Sequence, residues 1–177
     1  MSALEVVAKP EFGKAELDWL THLRYTRAHS PGAPAFTLVF PGAHSVDEVI
    51  KQVQATCAAT ARIHFCLRSA MIVPEGKMGF FHIFLVPDEG FGAIIRLHER
   101  LHTGPLKCCL RPDAPYIPHV TVASMQAFDA ARQTMAVLNA KDLAIAGRID
   151  EIEVHERDSA VPRCVAKVPL KHSGFFH

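Results

Sequence analysis

The feature that most constrains this chain is an echo between its two halves. Pro34-Ala35-Phe36-Thr37-Leu38-Val39 is answered by Pro118-His119-Val120-Thr121-Val122-Ala123, with proline and threonine at matching places. The match runs outward. Val6-Val7-Ala8-Lys9-Pro10 and Ile83-Phe84-Leu85-Val86-Pro87 each read as a strand closed by proline, followed by a helical pattern. Arg62-Ile63 and Arg148-Ile149 each open a strand after a helix. Each half therefore reads strand, Pro, helix, Pro-led strand, helix, strand. A single duplication of whole supersecondary units predicts one domain of two related halves, about residues 4–72 and 79–170, rather than a solenoid.

Within that frame, residues 116–123 (Tyr116-Ile117-Pro118-His119-Val120-Thr121-Val122-Ala123) read as a short strand dense in β-branched residues. Alternation puts His119 and Thr121 on one face and Val120 and Val122 on the other. An imidazole two residues from a hydroxyl suits holding a phosphate and moving a proton. The same three residues also suit an ordinary partly buried strand surface, since so short a pattern is weak by itself.

The other elements follow from period and punctuation. Residues 4–8 form a strand, and residues 15–26 a helix with Leu17, Leu20 and Leu23 on its apolar side. A loop at residues 30–34 leads into alternation that buries Phe36, Leu38 and Phe40 and leaves Ala35 and Thr37 opposite. Ser45-x-x-Glu48 is a capping box for a helix carrying Val46, Val49, Ile50, Val53 and Cys57 on one face. His64 and Arg68 alternate with Ile63, Phe65 and Leu67 and are expected on the side of Thr37. Residues 74–77 turn the chain into a strand at 80–86, and residues 91–102 form a third helix. Residues 104–115 are a long, slightly basic loop through Lys107 and Arg111, placed to border His119. A fourth helix at 129–138, a closing strand pair at 149–155 and 164–170, and a loose tail at 173–177 complete the chain.

With both Pro-led strands in view, the chain resembles the two-histidine (2H) phosphoesterases, which include 2′,5′ RNA ligases and 2′,3′-cyclic phosphodiesterases. The resemblance covers about residues 4–170. It implies an α+β fold: two pseudo-symmetric lobes of antiparallel sheet, outer helices and a central cleft to which each lobe gives one His-x-Thr strand. The second motif, His119 to Thr121, fits with its proline in front. The first keeps Thr37 but has Ala35 where the family has histidine.

In such a site two imidazoles serve as general base and general acid, because both protonation states exist near neutral pH. The hydroxyls donate to non-bridging oxygens as charge builds. The resemblance thus implies His119, Thr121 and Thr37 as catalytic groups, with no cofactor and no metal. Ala35 leaves open whether the chain is an enzyme, since losing one acid–base partner removes about 10²–10⁴ in rate. Another cleft residue fills the gap, with His64 first and His82 second in line; or the activity is weak or altered; or the protein only binds. His64 also reads as a half-buried strand histidine. Arg68 reads as a bidentate phosphate anchor or as a solvated residue paired with an acid such as Glu151 or Glu153. Tyr116 joins His64, Arg68 and His82 as a substrate-binding expectation.

A rival motif stands at His98-Glu99-Arg100-Leu101-His102, a literal H-E-x-x-H on a helix. It lacks an evident third ligand, carries Arg100 between the histidines and has no counterpart in the first half. Two histidines on an outward helix face explain it without zinc.

Composition bounds the partners. With a net charge of +1 and 21% charged residues, no global basic field marks a nucleic-acid binder, so RNA contact is expected to be local. The expected partner is a nucleotide or short RNA end carrying a phosphodiester, with no membrane and no DNA, and with a monomer favoured. At 177 residues and 49% hydrophobic, there is ample core for one domain or two joined lobes. Five cysteines without C-x-x-C spacing read as free thiols in a reducing cytoplasm. No basic-then-apolar signal sequence and no apolar run of about 18 residues is present.

Overall fold

The strands form where β-branched and aromatic residues crowd together, and the helices where apolar residues recur every three to four positions. The computed structural model describes residues 2–27, 32–76, 78–159 and 161–171, so the expected tail at 173–177 lies outside the described residues. In chain order the elements are β1 (Ser2–Ala8), β2 (Glu11–Phe12), α1 (Lys14–Arg27), β3 (Phe36–His44), α2 (Val46–Ala58), β4 (Ile63–Pro74) and β5 (Phe81–Glu89). They continue with α3 (Phe91–Leu101), a 3-10 segment (Gly104–Cys109), β6 (Val120–Met125), α4 (Phe128–Asn139), β7 (Ile145–Ile149), β8 (Glu151–Glu156) and β9 (Arg163–Pro169).

Two antiparallel sheets result, in the orders β3-β1-β8-β9 and β2-β7-β4-β5-β6. The fold is mixed α+β. Each sheet draws strands from both ends of the chain: β7 runs beside β4, and β8 beside β1. The sheets are therefore interlocked by chain connectivity as well as by packing. Aromatic side chains join them. Phe36 of β3 meets Phe65 of β4 edge-on at 5.0 Å, and Phe65 meets Phe12 of β2 at 5.7 Å. Phe36 and Phe65 are fully buried, and truncating either to alanine at such a site costs about 3–5 kcal/mol.

Several local expectations need correction. The strand anticipated from residue 116 begins only at Val120, because Pro115 and Pro118 have no N–H to donate to a ladder. Arg148-Ile149 ends β7 rather than opening a strand; the chain then changes sheet at Asp150 and β8 begins. Ser45 precedes α2 without a side-chain cap hydrogen bond, so the capping box does not form. On α1, Leu17 is exposed, and the inward face is Trp19, Leu20, Leu23 and Arg24. The alternation on β3 breaks after Leu38. Val7 faces Thr37 while Val6 faces Val39, so β3 spends an extra residue there, a bulge, and it spends a second before Gly42, which faces Leu4. Val39 turns into the core and Phe40 turns out, 43% exposed.

Helix α3 begins at Gly90, whose φ of 81° and whose position, 2.4 Å from the His64 carbonyl oxygen to an added Cβ, leave no room for a side chain. No helix among the described residues is long and apolar enough to cross a membrane. All five cysteines are free thiols.

Candidate active site

The edge strands of the two sheets, β3 and β6, border one cavity of about 400 Å³. Its walls carry Thr37 and Phe40 from β3, His82 and Phe84 from β5, Thr121 and Ser124 from β6, Arg24 from α1, and His119 and Ala35 just ahead of their strands. The hydroxyls reach it through strand alternation. Val120 and Val122 pack inward, which leaves His119 and Thr121 half-buried on the cavity side. Phe36 and Leu38 do the same for Thr37.

His119 is held firmly. Its ring stacks on Phe84 at 3.5 Å between centroids and 12° between planes. Its Nδ1–H donates to the Ile117 carbonyl at 2.6 Å, which leaves Nε2 as the lone-pair nitrogen of the neutral ring. Burial pulls its pKa below the ordinary value of 6.5; the Ile117 hydrogen bond works against that, and the neighbouring His82 adds to the lowering. At neutral pH the ring is a base.

The His82 ring is 6.3 Å from that of Phe84 and nearly parallel to it. Its Nδ1 is 2.8 Å from the Ser124 hydroxyl, and its Nε2 is 3.3 Å from the Glu75 carboxylate. A protonated His82 thus has a counter-ion in place. The register pairs His82 with Ser124 and Phe84 with Thr121, so two positions on each of β5 and β6 build this wall.

Arg24 is the residue that sequence reasoning missed. It donates to the Thr121 carbonyl through Nη1 and to the Gly32 carbonyl through Nε at 3.1 Å. It follows buried Leu20 by one helical turn, and that spacing was the available signal. Burial lowers its pKa, yet a guanidinium stays charged at neutral pH and gives the cavity a cation suited to phosphate.

A second cavity of about 410 Å³ shares Phe40, His82, Phe84 and His119 with the first. Its other walls include Tyr116, Ile117, Leu110 and Arg111. The loop expected to border His119 therefore does. Tyr116 stacks on His98 at 3.8 Å and 5°, and its hydroxyl donates to the Thr37 carbonyl at 3.1 Å, tying that loop to β3. Burial pushes its phenol well above the usual range. Tyr116→Phe is expected to cost about 1 kcal/mol, lowering Tm by about 2–4 °C in a thermal melt at pH 7.

His64 and Arg68 do not join this site. His64 is exposed at the opposite end of β4 from Val73, the partner of His82, about 30 Å along the strand at ~3.3 Å per residue. Facing the anticipated side does not help a residue so far along. Arg68 sits at an irregularity in the β4–β5 ladder and pairs with Asp88 at 3.0 Å, both side chains exposed. Its solvated reading holds, with Asp88 rather than Glu151 or Glu153 as partner.

The H-E-x-x-H histidines face inward, not outward. His98 and His102 are both 7% exposed, because Ile94, Leu97, His98 and Leu101 form the buried stripe of α3. The His102 Nδ1–H donates to the His98 carbonyl at 2.8 Å. Burial and the nearby His102 pull His98 down to about 4, so it is neutral. Among the described residues the two join no cluster of three metal-ligating side chains.

Two interlocked antiparallel sheets, helices outside them and a histidine–hydroxyl cavity at their facing edges define a 2H phosphoesterase-like protein. The chain belongs to the 2′-5′ RNA ligase superfamily, whose family model matches residues 10–160. Among solved structures it is similar to TT0787 of Thermus thermophilus, at 15% identity and TM-score 0.66 over 97% of this chain and 100% of that one. LigT of E. coli, solved with 3′-AMP, matches at 15% identity and TM-score 0.57 over 96% and 95% of the two chains. Usb1 of Kluyveromyces marxianus, solved with uridine monophosphate, matches at 10% identity and TM-score 0.54 over 96% and 98%. The sequence matches no curated protein.

Proposed function

We propose that this protein binds the phosphodiester end of a nucleotide or short RNA, a 2′,3′-cyclic phosphate or a 2′,5′ linkage, and cleaves it without a metal. The observation that carries this reading is the gathering of His119, His82, Thr37, Thr121 and Arg24 around one cavity. His119 Nε2 takes the proton from the attacking oxygen. The protonated His82, replacing the histidine that Ala35 lacks, gives a proton to the departing oxygen. Thr37 and Thr121 donate to the non-bridging oxygens, and Arg24 offsets their charge. The adjoining cavity, with Phe40 and Tyr116 in its walls, offers an apolar berth for the base. The nucleotides bound by LigT and Usb1 support the ligand class.

The test is a panel of 2′,3′-cyclic nucleotides and short 2′,5′-linked oligomers, with binding and turnover measured separately. His82→Ala is expected to cut turnover about 100-fold, and adding Ala35→His to recover at least about tenfold of it, since the new imidazole enters the same cavity. Full turnover in His82→Ala would remove His82 from the mechanism. Binding without turnover in any variant would favour the second reading, a nucleotide-end-binding module, which Ala35 itself suggests.

A further inference from the structure

We propose that His44, Cys108 and Cys109 bind a thiophilic d10 cation, Zn²⁺ or Cu⁺, which clips the 3-10 segment onto the end of β3. The ligand atoms of these three side chains lie within 4.8 Å of one another. His44 Nε2 and Cys109 Sγ are already 2.9 Å apart, sharing a proton. A tetrahedral zinc site spaces such atoms by about 3.5–3.8 Å, given metal–ligand bonds of about 2.0–2.3 Å, so only small shifts separate the cluster from a coordination sphere. The Cys108 thiol makes a weak contact to the Pro105 carbonyl at 3.6 Å and a side-chain hydrogen bond with Cys109 itself.

The backbone makes room for the pair. A Cβ on Gly42 would stand 2.9 Å from His44 Nε2 and 3.2 Å from Cys109 Sγ, so a side chain there would occupy the space the two ligands share. Cys108 is exposed and the other two are half-buried, which leaves an open side for entry and for a solvent ligand. Binding replaces both thiol protons, which leave to solvent, while the His44 imidazole gives a nitrogen lone pair. Thiolate and imidazole together select this class of cation over Mg²⁺ or Ca²⁺. The second cluster among the described residues, Glu153, His155 and Cys164, offers no comparable site. Its carboxylate is already paired with Lys9 at 2.9 Å, Lys167 at 2.8 Å and His155 at 2.6 Å.

The cluster is remote in sequence, and adjacent cysteines carry no C-x-x-C signature, so the expectation of a chain without a metal changes here. Cys109 also walls the second cavity, so the ion would fix one side of it.

The experiment is a titration of the full, reduced chain with Cd²⁺, following thiolate-to-metal absorption. One equivalent should saturate it. Cys108→Ser, Cys109→Ser and His44→Ala should each weaken binding by about tenfold or more, while Cys164→Ser and Glu99→Ala leave it unchanged. In the unaltered protein, stoichiometric Zn²⁺ should protect Cys108 and Cys109, but not Cys164, from alkylation read by mass spectrometry. This second measurement does not depend on a variant folding. Sub-stoichiometric absorption, a signal indifferent to the three substitutions, or equal alkylation of all exposed thiols would overturn the proposal.

Discussion

His119→Ala is expected to lower turnover of the best-cleaved substrate by about 10²–10⁴, the loss typical when a positioned general base is removed. The reason lies in how the ring is set: Phe84 stacks on it, Ile117 fixes Nδ1, and Nε2 remains to accept a proton. The fold should survive, because the half-buried ring belongs to a cavity wall rather than to the core. Circular dichroism and the thermal midpoint check that point. The pH profile gives a second, independent readout. The base form is active, and burial lowers the pKa from 6.5, so the acid limb of kcat/KM, where His119 gains its proton, should fall below pH 6.5 rather than at it. His82 on β5 and Arg24 on α1 are the charged or titratable side chains that share that cavity, and His82 disfavours a positive charge on His119. Unchanged turnover in His119→Ala would end the catalytic reading.

Glu153→Gln is expected to destabilise the protein by about 2–3 kcal/mol at neutral pH, a Tm loss of about 5–10 °C. Glu153 lies 2% exposed on β8. Burial alone would raise its pKa, but hydrogen bonds from Lys167, Lys9 and His155, with the charge of Lys9, outweigh it and bring the group from 4.5 down to about 2. A folded-state value below the unfolded one means the ionised form stabilises the fold. That contribution is complete above about pH 4.5 and is lost as pH falls toward 2. Lys9 and Lys167 are partly exposed and recover some hydration once released, which holds the figure below that of a fully enclosed pair. Denaturant melts of both proteins at several pH values decide the matter. A difference that persists unchanged at about pH 2–3 would show that the cost comes from packing, not charge.

What the sequence determined by itself is periodic and local. Period-two alternation around Thr37 and Thr121, and period-3.6 stripes on α2 and α3, settled the class of each element and which side of it is apolar. The pairing of Pro-led strands, with His119 in the second and Ala35 at the matching place in the first, points by itself to the superfamily that the family model matches. Position along a strand, ladder irregularities and inter-element distances were decided only in three dimensions. His64 kept its side of β4 but stands at the wrong end of it, whereas the register of β5 on β6 sets His82 beside Ser124, in the cavity that His119 also lines. One extra residue in β3 turned Phe40 from core to cavity, since a shift of one position exchanges the two faces of a strand. Arg24, and the meeting of His44 with Cys109, depend on contacts between residues 97 and 65 positions apart in the chain. No local pattern encodes such contacts; they exist because two sheets bury their apolar faces together and carry their edges with them.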